Sequence, residues 1–186
     1  MIDTETYGPA YLTYGDYDRI ESAVVDLYVE LNINKFPIDP FDIARKKGYT
    51  LVPYSQIPQE AREILRKTEK SGTSGRTKKG EYRIFYDDSN SENRQRFTIM
   101  HELGHIALGH KEDSAYAEKS ANYYATYSLA PSPMIGRLKC EDFIDTSVRF
   151  DLSVESALYA FDRYERWASV PGGLKPYEQK LNKLFD

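Results

Sequence analysis

Apolar residues at Ile20, Ala23, Val24, Leu27, Tyr28 and Leu31 recur in steps of three and four, which predicts a helix with one buried stripe. Asp16 is placed to cap its start, and Asn32 to Pro37 to end it. Asp39-Pro40 opens a second, short helix, with Asp as N-cap, Pro in the first turn and Gly48 as the stop. Tyr49 to Tyr54 predicts a strand, Pro58 to Lys67 another short helix, and Glu81 to Tyr86 a second strand ended by Asp87-Asp88. Thr68 to Gly80, rich in Gly, Ser, Thr and Lys, reads as a loop. Ser89 with Glu92 three residues on has the form of a capping box, opening a helix to about Gly109. A further helix runs from about Ser114 to Leu129, where Pro131 and Pro133 stop it. Met134 to Asp186 predicts two or three helices, broken at Pro171-Gly172-Gly173. The elements add up to an α+β fold, a small β-sheet packed against a helical layer.

A length of 186 residues suffices for one domain whose core needs no disulfide. The expected organisation is an N-terminal arm over residues 1–15 and a single domain over 16–186. Within that domain the core of the site spans 89–131 and a helical region 134–186. The net charge of −4 gives no overall basic balance for nucleic acid or an acidic membrane surface. Cys140 is the single cysteine, which excludes an internal disulfide and any metal site needing two thiolates. Met1 to Ile20 has neither a basic nor an apolar leader region, and no run of 18 apolar residues exists. The expectation is a cytoplasmic protein without a membrane partner.

The three histidines, His101, His105 and His110, all fall within ten residues. His101-Glu102-Leu103-Gly104-His105 has the form H-E-x-x-H, expected by chance about 0.004 times in a chain of this composition. Histidines four apart share one helix face, so both imidazoles can reach a single Zn²⁺. The intervening Glu102 then stands beside the attacking water as its base. The helix around it is apolar at Phe97, Ile99, Met100, Leu103, Ile106 and Leu108.

A catalytic zinc takes three protein ligands and keeps one position open. His110 does not fit the longer pattern H-E-x-x-H-x-x-G-x-x-H, because Leu108 and Lys111 occupy its glycine and histidine positions. Asp113, which falls in the turn, is a fallback ligand. If the two helices form an antiparallel hairpin turning near Lys111 and Glu112, residues whose numbers sum to about 223 lie level. His105 then faces Glu118, and His101 faces Asn122. Ala121 and Ala125 on the same face allow the close approach that a ligating carboxylate needs. Glu118 is therefore the expected third ligand.

The segments Arg94 to His105 (R-Q-R-F-T-I-M-H-E-L-G-H), Glu118 to Ala125 (E-K-S-A-N-Y-Y-A) and Leu129-Ala130-Pro131 resemble the ImmA/IrrE family of zinc metallo-endopeptidases. The likeness is densest over 92–131. It extends more loosely to Phe36–Ala44, to the strand at 81–86, and to Phe150–Ala157. Thr126, Ser128 and Ala130 depart from the usual residues, at packing positions. The resemblance implies a zincin-like fold, His101, His105 and Glu118 as gluzincin-like zinc ligands, and Glu102 as the catalytic residue. It also implies a protein substrate, a helix-turn-helix repressor of a phage or mobile element, whose cleavage relieves repression. A different class of function is a zinc-bound regulatory module, an anti-repressor or a toxin–antitoxin partner, that binds without cutting. Glu102 favours the enzyme, since a metal-only module needs no base. An oxyanion stabiliser is expected among Tyr123, Tyr124, Tyr127, Arg94 and Arg96.

Two charged regions complete the picture. Eight basic residues lie between Arg62 and Arg83, reading as a solvated loop or as a contact to substrate beside the site. Glu141 to Ser169 holds three arginines against seven acids, which argues against direct DNA binding and suits a basic partner.

Overall fold

A computed structural model describes residues 11–67 and 71–186. The three-stranded sheet has the order β1-β3-β2. β1 (Thr50–Pro53) runs parallel to β3 (Tyr82–Tyr86), and β2 (Gly72–Arg76) runs antiparallel to it on the other side. Helices α1 (Tyr14–Leu31), α2 (Pro40–Lys46) and α3 (Gln59–Lys67) precede β2. After β3 come α4 (Glu92–Ala107), α5 (Ala115–Leu129), α6 (Ser132–Arg137), α7 (Phe143–Phe150), α8 (Val154–Ser169) and α9 (Pro176–Leu184). α2 and α4 pack on the sheet, α5 lies against α4, and α1, α8 and α9 close the far side. The fold is α+β, as the sequence predicts.

The predicted stripe of α1 is the centre of the core. Ile20, Val24 and Tyr28 are fully buried, and Ala23, Leu27 and Leu31 pack against them. Ile99, Met100 and Leu103 of α4 and Tyr124, Ala125 and Tyr127 of α5 complete the interface. Burial of this kind, at roughly 25 cal/mol per Å² of apolar surface, is what fixes α4 and α5 side by side.

Four boundaries differ from the sequence reading, each for a local reason. α1 starts inside the predicted arm, capped by Thr13 rather than Asp16; residues 1–10 of that arm lie outside the described residues. Asp16 instead closes a capping box. Its carboxylate accepts from the Thr13 hydroxyl at 2.6 Å and from the Tyr116 hydroxyl, and these bonds pull its pKa down to about 2. The Ser89 box is not formed. Ser91 is the N-cap of α4, while Ser89 donates its hydroxyl to Asp87 at 2.6 Å, a partner only two residues away. The predicted loop contains β2, although Thr68 to Lys70 lie outside the described residues. The C-terminal part holds α6 to α9, more helices than predicted, because Asp151 in a left-handed conformation (φ 51°) separates α7 from α8.

Arg96 ties three parts of the chain together. Its guanidinium is buried and donates to the Ile38 carbonyl at 2.8 Å, to the Phe150 and Asp151 carbonyls, and to the Asp151 carboxylate at 2.5 Å. Asp151 is about half exposed, so what Arg96 chiefly satisfies is buried carbonyl oxygen. Arg96→Met keeps an unbranched apolar stem and removes every donor. It is expected to cost about 3 kcal/mol, or very roughly 6–12 °C in melting temperature for a domain of this size. A thermal melt that falls by less than about 2 °C would show the carbonyls to be satisfied without it.

Candidate metal centre

α4 and α5 form the antiparallel hairpin that the register argument requires. Gly104 lets them meet closely, since a Cβ there would lie 3.0 Å from the buried ring of Tyr124. Glu118, in the first turn of α5, therefore faces the histidines of α4. Its two carboxylate oxygens lie 3.5 Å from Nε2 of His101 and 3.6 Å from Nε2 of His105. Ligand atoms of these three residues lie within 4.8 Å of one another.

The opposite nitrogens of both rings are held by neighbours. Nδ1 of His101 meets Oδ1 of Asn122 at 2.9 Å, and Nδ1 of His105 meets Nδ1 of His110 at 3.0 Å. An amide oxygen only accepts, so His101 carries its proton on Nδ1 and presents a lone pair at Nε2. Burial, followed by the neighbouring His105 and Arg19, lowers the pKa of His110 to about 4, so this ring is neutral near pH 7 and its Nδ1 can accept a hydrogen bond from Nδ1–H of His105. His105 then also presents a lone pair at Nε2, and the two Nε2 atoms are 2.9 Å apart. Two lone pairs and a carboxylate pointed at one another repel, and a cation between them turns that repulsion into attraction. The donor set of two imidazoles and one carboxylate, with neighbours fixing both rings, fits a divalent metal.

These residues lie in a cavity of about 510 Å³. Its walls are α4, the start of α5, the 110–113 turn and residues 71–74 at β2. Glu102 is buried on the sheet side of the histidines. A Cβ added to Gly72 would lie 2.3 Å from Thr98 and 3.6 Å from Glu102, so glycine is what lets β2 come this close to α4. Tyr54 is fully buried; burial first, then the Asp87 and Glu102 carboxylates, raise its phenol pKa.

The five oxyanion candidates part company. Arg94 lines the cavity, stacked over Phe97 and donating to the Ser71 hydroxyl at 3.0 Å. Arg96 is committed to the carbonyls described above. Tyr124 packs on Gly104, Tyr127 is buried, and Tyr123 donates to Glu21 at 2.5 Å on the other side of α5. His110 and Asp113 both reach the cavity wall, but neither joins the three-residue cluster. The roles of Asn122 and His110 beside the rings went unread in the sequence, though the hairpin register already set Asn122 level with His101. Residues 71–74 lie within the basic stretch that the sequence set either in solvent or beside the site, and the structure puts them on the cavity wall.

The model of the IrrE N-terminal-like domain, peptidase M78, matches residues 63–162, a stretch that contains α4, α5 and every wall of the cavity. No curated protein matches this chain. With more than half of its length in that match, the chain belongs to the peptidase M78 family of metallopeptidases, whose domain is described as IrrE N-terminal-like.

Proposed function

We propose that this chain is a zinc-dependent endopeptidase, with His101, His105 and Glu118 as metal ligands and Glu102 as the general base and acid. The carrying observation is the placement of a buried carboxylate, Glu102, beside a three-donor cluster on the wall of an open cavity. A bound Zn²⁺ supplies a Lewis acid that lowers the pKa of water toward roughly 7 and polarises the scissile carbonyl. Glu102 takes the proton of the attacking water and delivers it to the leaving amine. Asn122 and His110 hold the imidazoles so that both Nε2 atoms face inward. Arg94, which lines the cavity together with Lys111, is the cation we assign to the developing oxyanion.

The edge position of β2 supports a peptide substrate. Gly72, Thr73 and Ser74 line the cavity and belong to the outer strand of the sheet. A chain added along that edge would gain main-chain hydrogen bonds while passing Glu102. For the identity of the substrate, the family resemblance supports a helix-turn-helix repressor, and a single domain, with α1 beginning at Tyr14, is part of the same proposal. Co-expression with a repressor encoded beside this gene, followed by mass measurement of the fragments, is the test. Two fragments whose masses sum to that of the intact repressor plus one water are the expected result. A zinc-loaded chain that binds the repressor tightly and leaves it whole would replace the enzyme with a binding module.

A further inference from the structure

α5 separates two concavities. Glu118 and Asn122 face the metal cavity, while Lys119, Tyr123 and Thr126, one row round the helix, face a groove of about 1590 Å³. The far walls of the groove are the start of α1, the C-terminal half of α8 and the 168–175 loop. Asn122 lines both spaces, so the groove opens toward the histidine that Asn122 holds.

Its surface is aromatic and aliphatic where solvent reaches it. Tyr14 is 92% exposed, Tyr159 63% and Val170 68%, with Tyr17 and Trp167 deeper in. Large apolar groups left this open, on a rim of polar ones, mark a surface that something covers. The charged residues of the wall are Lys119, Arg163, Arg166 and Lys175 against Glu21 and Glu178. Both carboxylates are buried and engaged: Glu21 by the Tyr123 and Tyr177 hydroxyls, Glu178 by the Trp167 indole and the Lys175 amide. Arg166 is 71% exposed and pairs with Asp162, and Lys175 pairs with Asp18, both across solvent-facing bridges that a competing carboxylate can replace at little cost. The C-terminal segment is acidic in total, yet helical sidedness turns Arg166 toward the groove and keeps Glu155, Asp162 and Glu165 off its walls; Arg163, also on the wall, is engaged by the Thr126 and Ala130 carbonyls.

We propose that this groove docks a second stretch of the protein substrate, an aromatic or aliphatic segment flanked by carboxylates, while the bond to be cut lies in the metal cavity. The occupant follows from continuity: a chain leaving the metal cavity past Asn122 enters the groove directly. One helix diameter, about 10 Å, separates the two spaces. Three to four extended residues span it at about 3.3 Å each. Docking therefore selects for sequence a few residues away from the scissile bond, and gives a pocket of modest size the means to recognise one protein among many.

The proposal rests on the peptidase reading, and the experiment separates the two. Zinc-loaded Glu102→Gln chain, which binds without turning over, is used to select from a displayed library of random 16-residue peptides. Enriched peptides should carry aromatic or aliphatic residues beside Asp or Glu. They should bind at least about tenfold more weakly when Tyr159→Glu and Arg166→Glu are added, and Val170→Glu alone should weaken them as well. All three positions are exposed, and unchanged melting temperature and zinc content confirm an intact fold. Enrichment that ignores these substitutions, or no enrichment, overturns the docking site. So does sedimentation showing a dimer of the chain that the same substitutions dissociate. The peptides are then extended by a random stretch and given to wild type. If they bind through the groove and are never cut, docking stands and the peptidase reading falls. If they are cut equally well by the groove variants, the peptidase stands and docking falls.

Discussion

Replacing Glu102 by Gln is expected to leave zinc content and fold unchanged and to lower cleavage by about 10²–10⁴-fold, the usual contribution of general acid–base catalysis. The geometry makes this a clean substitution. Glu102 is buried next to Thr98 and the bare Cα of Gly72, a space that tolerates no extra volume, and Gln adds none. Gln can still hydrogen-bond water but has no basic site near neutral pH, so the proton of the attacking water has no acceptor. Zinc content and the rate of repressor cleavage, measured on both proteins, decide the matter. Equal rates would remove Glu102 from the reaction, and lost zinc would make it a ligand.

The second large effect concerns metal retention. Glu118→Ala deletes a carboxylate that lies 3.5 and 3.6 Å from the two Nε2 atoms, and it should release the metal under a chelator that wild type withstands. Asn122→Ala and His110→Ala should weaken binding by a smaller factor, about 10–100-fold, since each orients a ring without donating to the metal. The ranking is the test: chelator titration should place Glu118→Ala below both. If His110→Ala proves weakest, the third donor is His110, and the ring geometry seen here rearranges on loading.

Legibility in the sequence followed the physics of each signal. The α4–α5 hairpin was readable because helical spacing and a short connection fix which residues lie level. Hence His105 opposite Glu118, and His101 opposite Asn122, emerge from arithmetic on residue numbers. β2 was hidden because Gly-Thr-Ser-Gly-Arg has no apolar–polar alternation and one β-branched residue, Thr73, between two glycines. What makes it a strand is backbone pairing to β3, and what selects its first glycine is the approach of Thr98 from another element. Such contacts have no local signature. The same holds for Arg96, whose partners Ile38 and Asp151 lie more than fifty residues away on either side, and for the groove, which exists only once α1, α5 and α8 have met. Ser89 misled for the opposite reason: its hydroxyl bonds to its local partner Asp87, and α4 starts two residues later at Ser91, with no side-chain capping bond.

The hairpin geometry has a consequence for how metal and folding are linked. All three donors lie between residues 101 and 118, on two consecutive helices. Closing a chain segment this short costs little entropy, and contacts so near in sequence form early. An otherwise unfolded chain can thus gather the same donors around an ion. Ligand that binds the unfolded state as well as the native one stabilises by less than its native affinity implies. A metal bound there should therefore shift the melting temperature modestly, and act more as a seed for the α4–α5 hairpin than as a clamp on the finished protein.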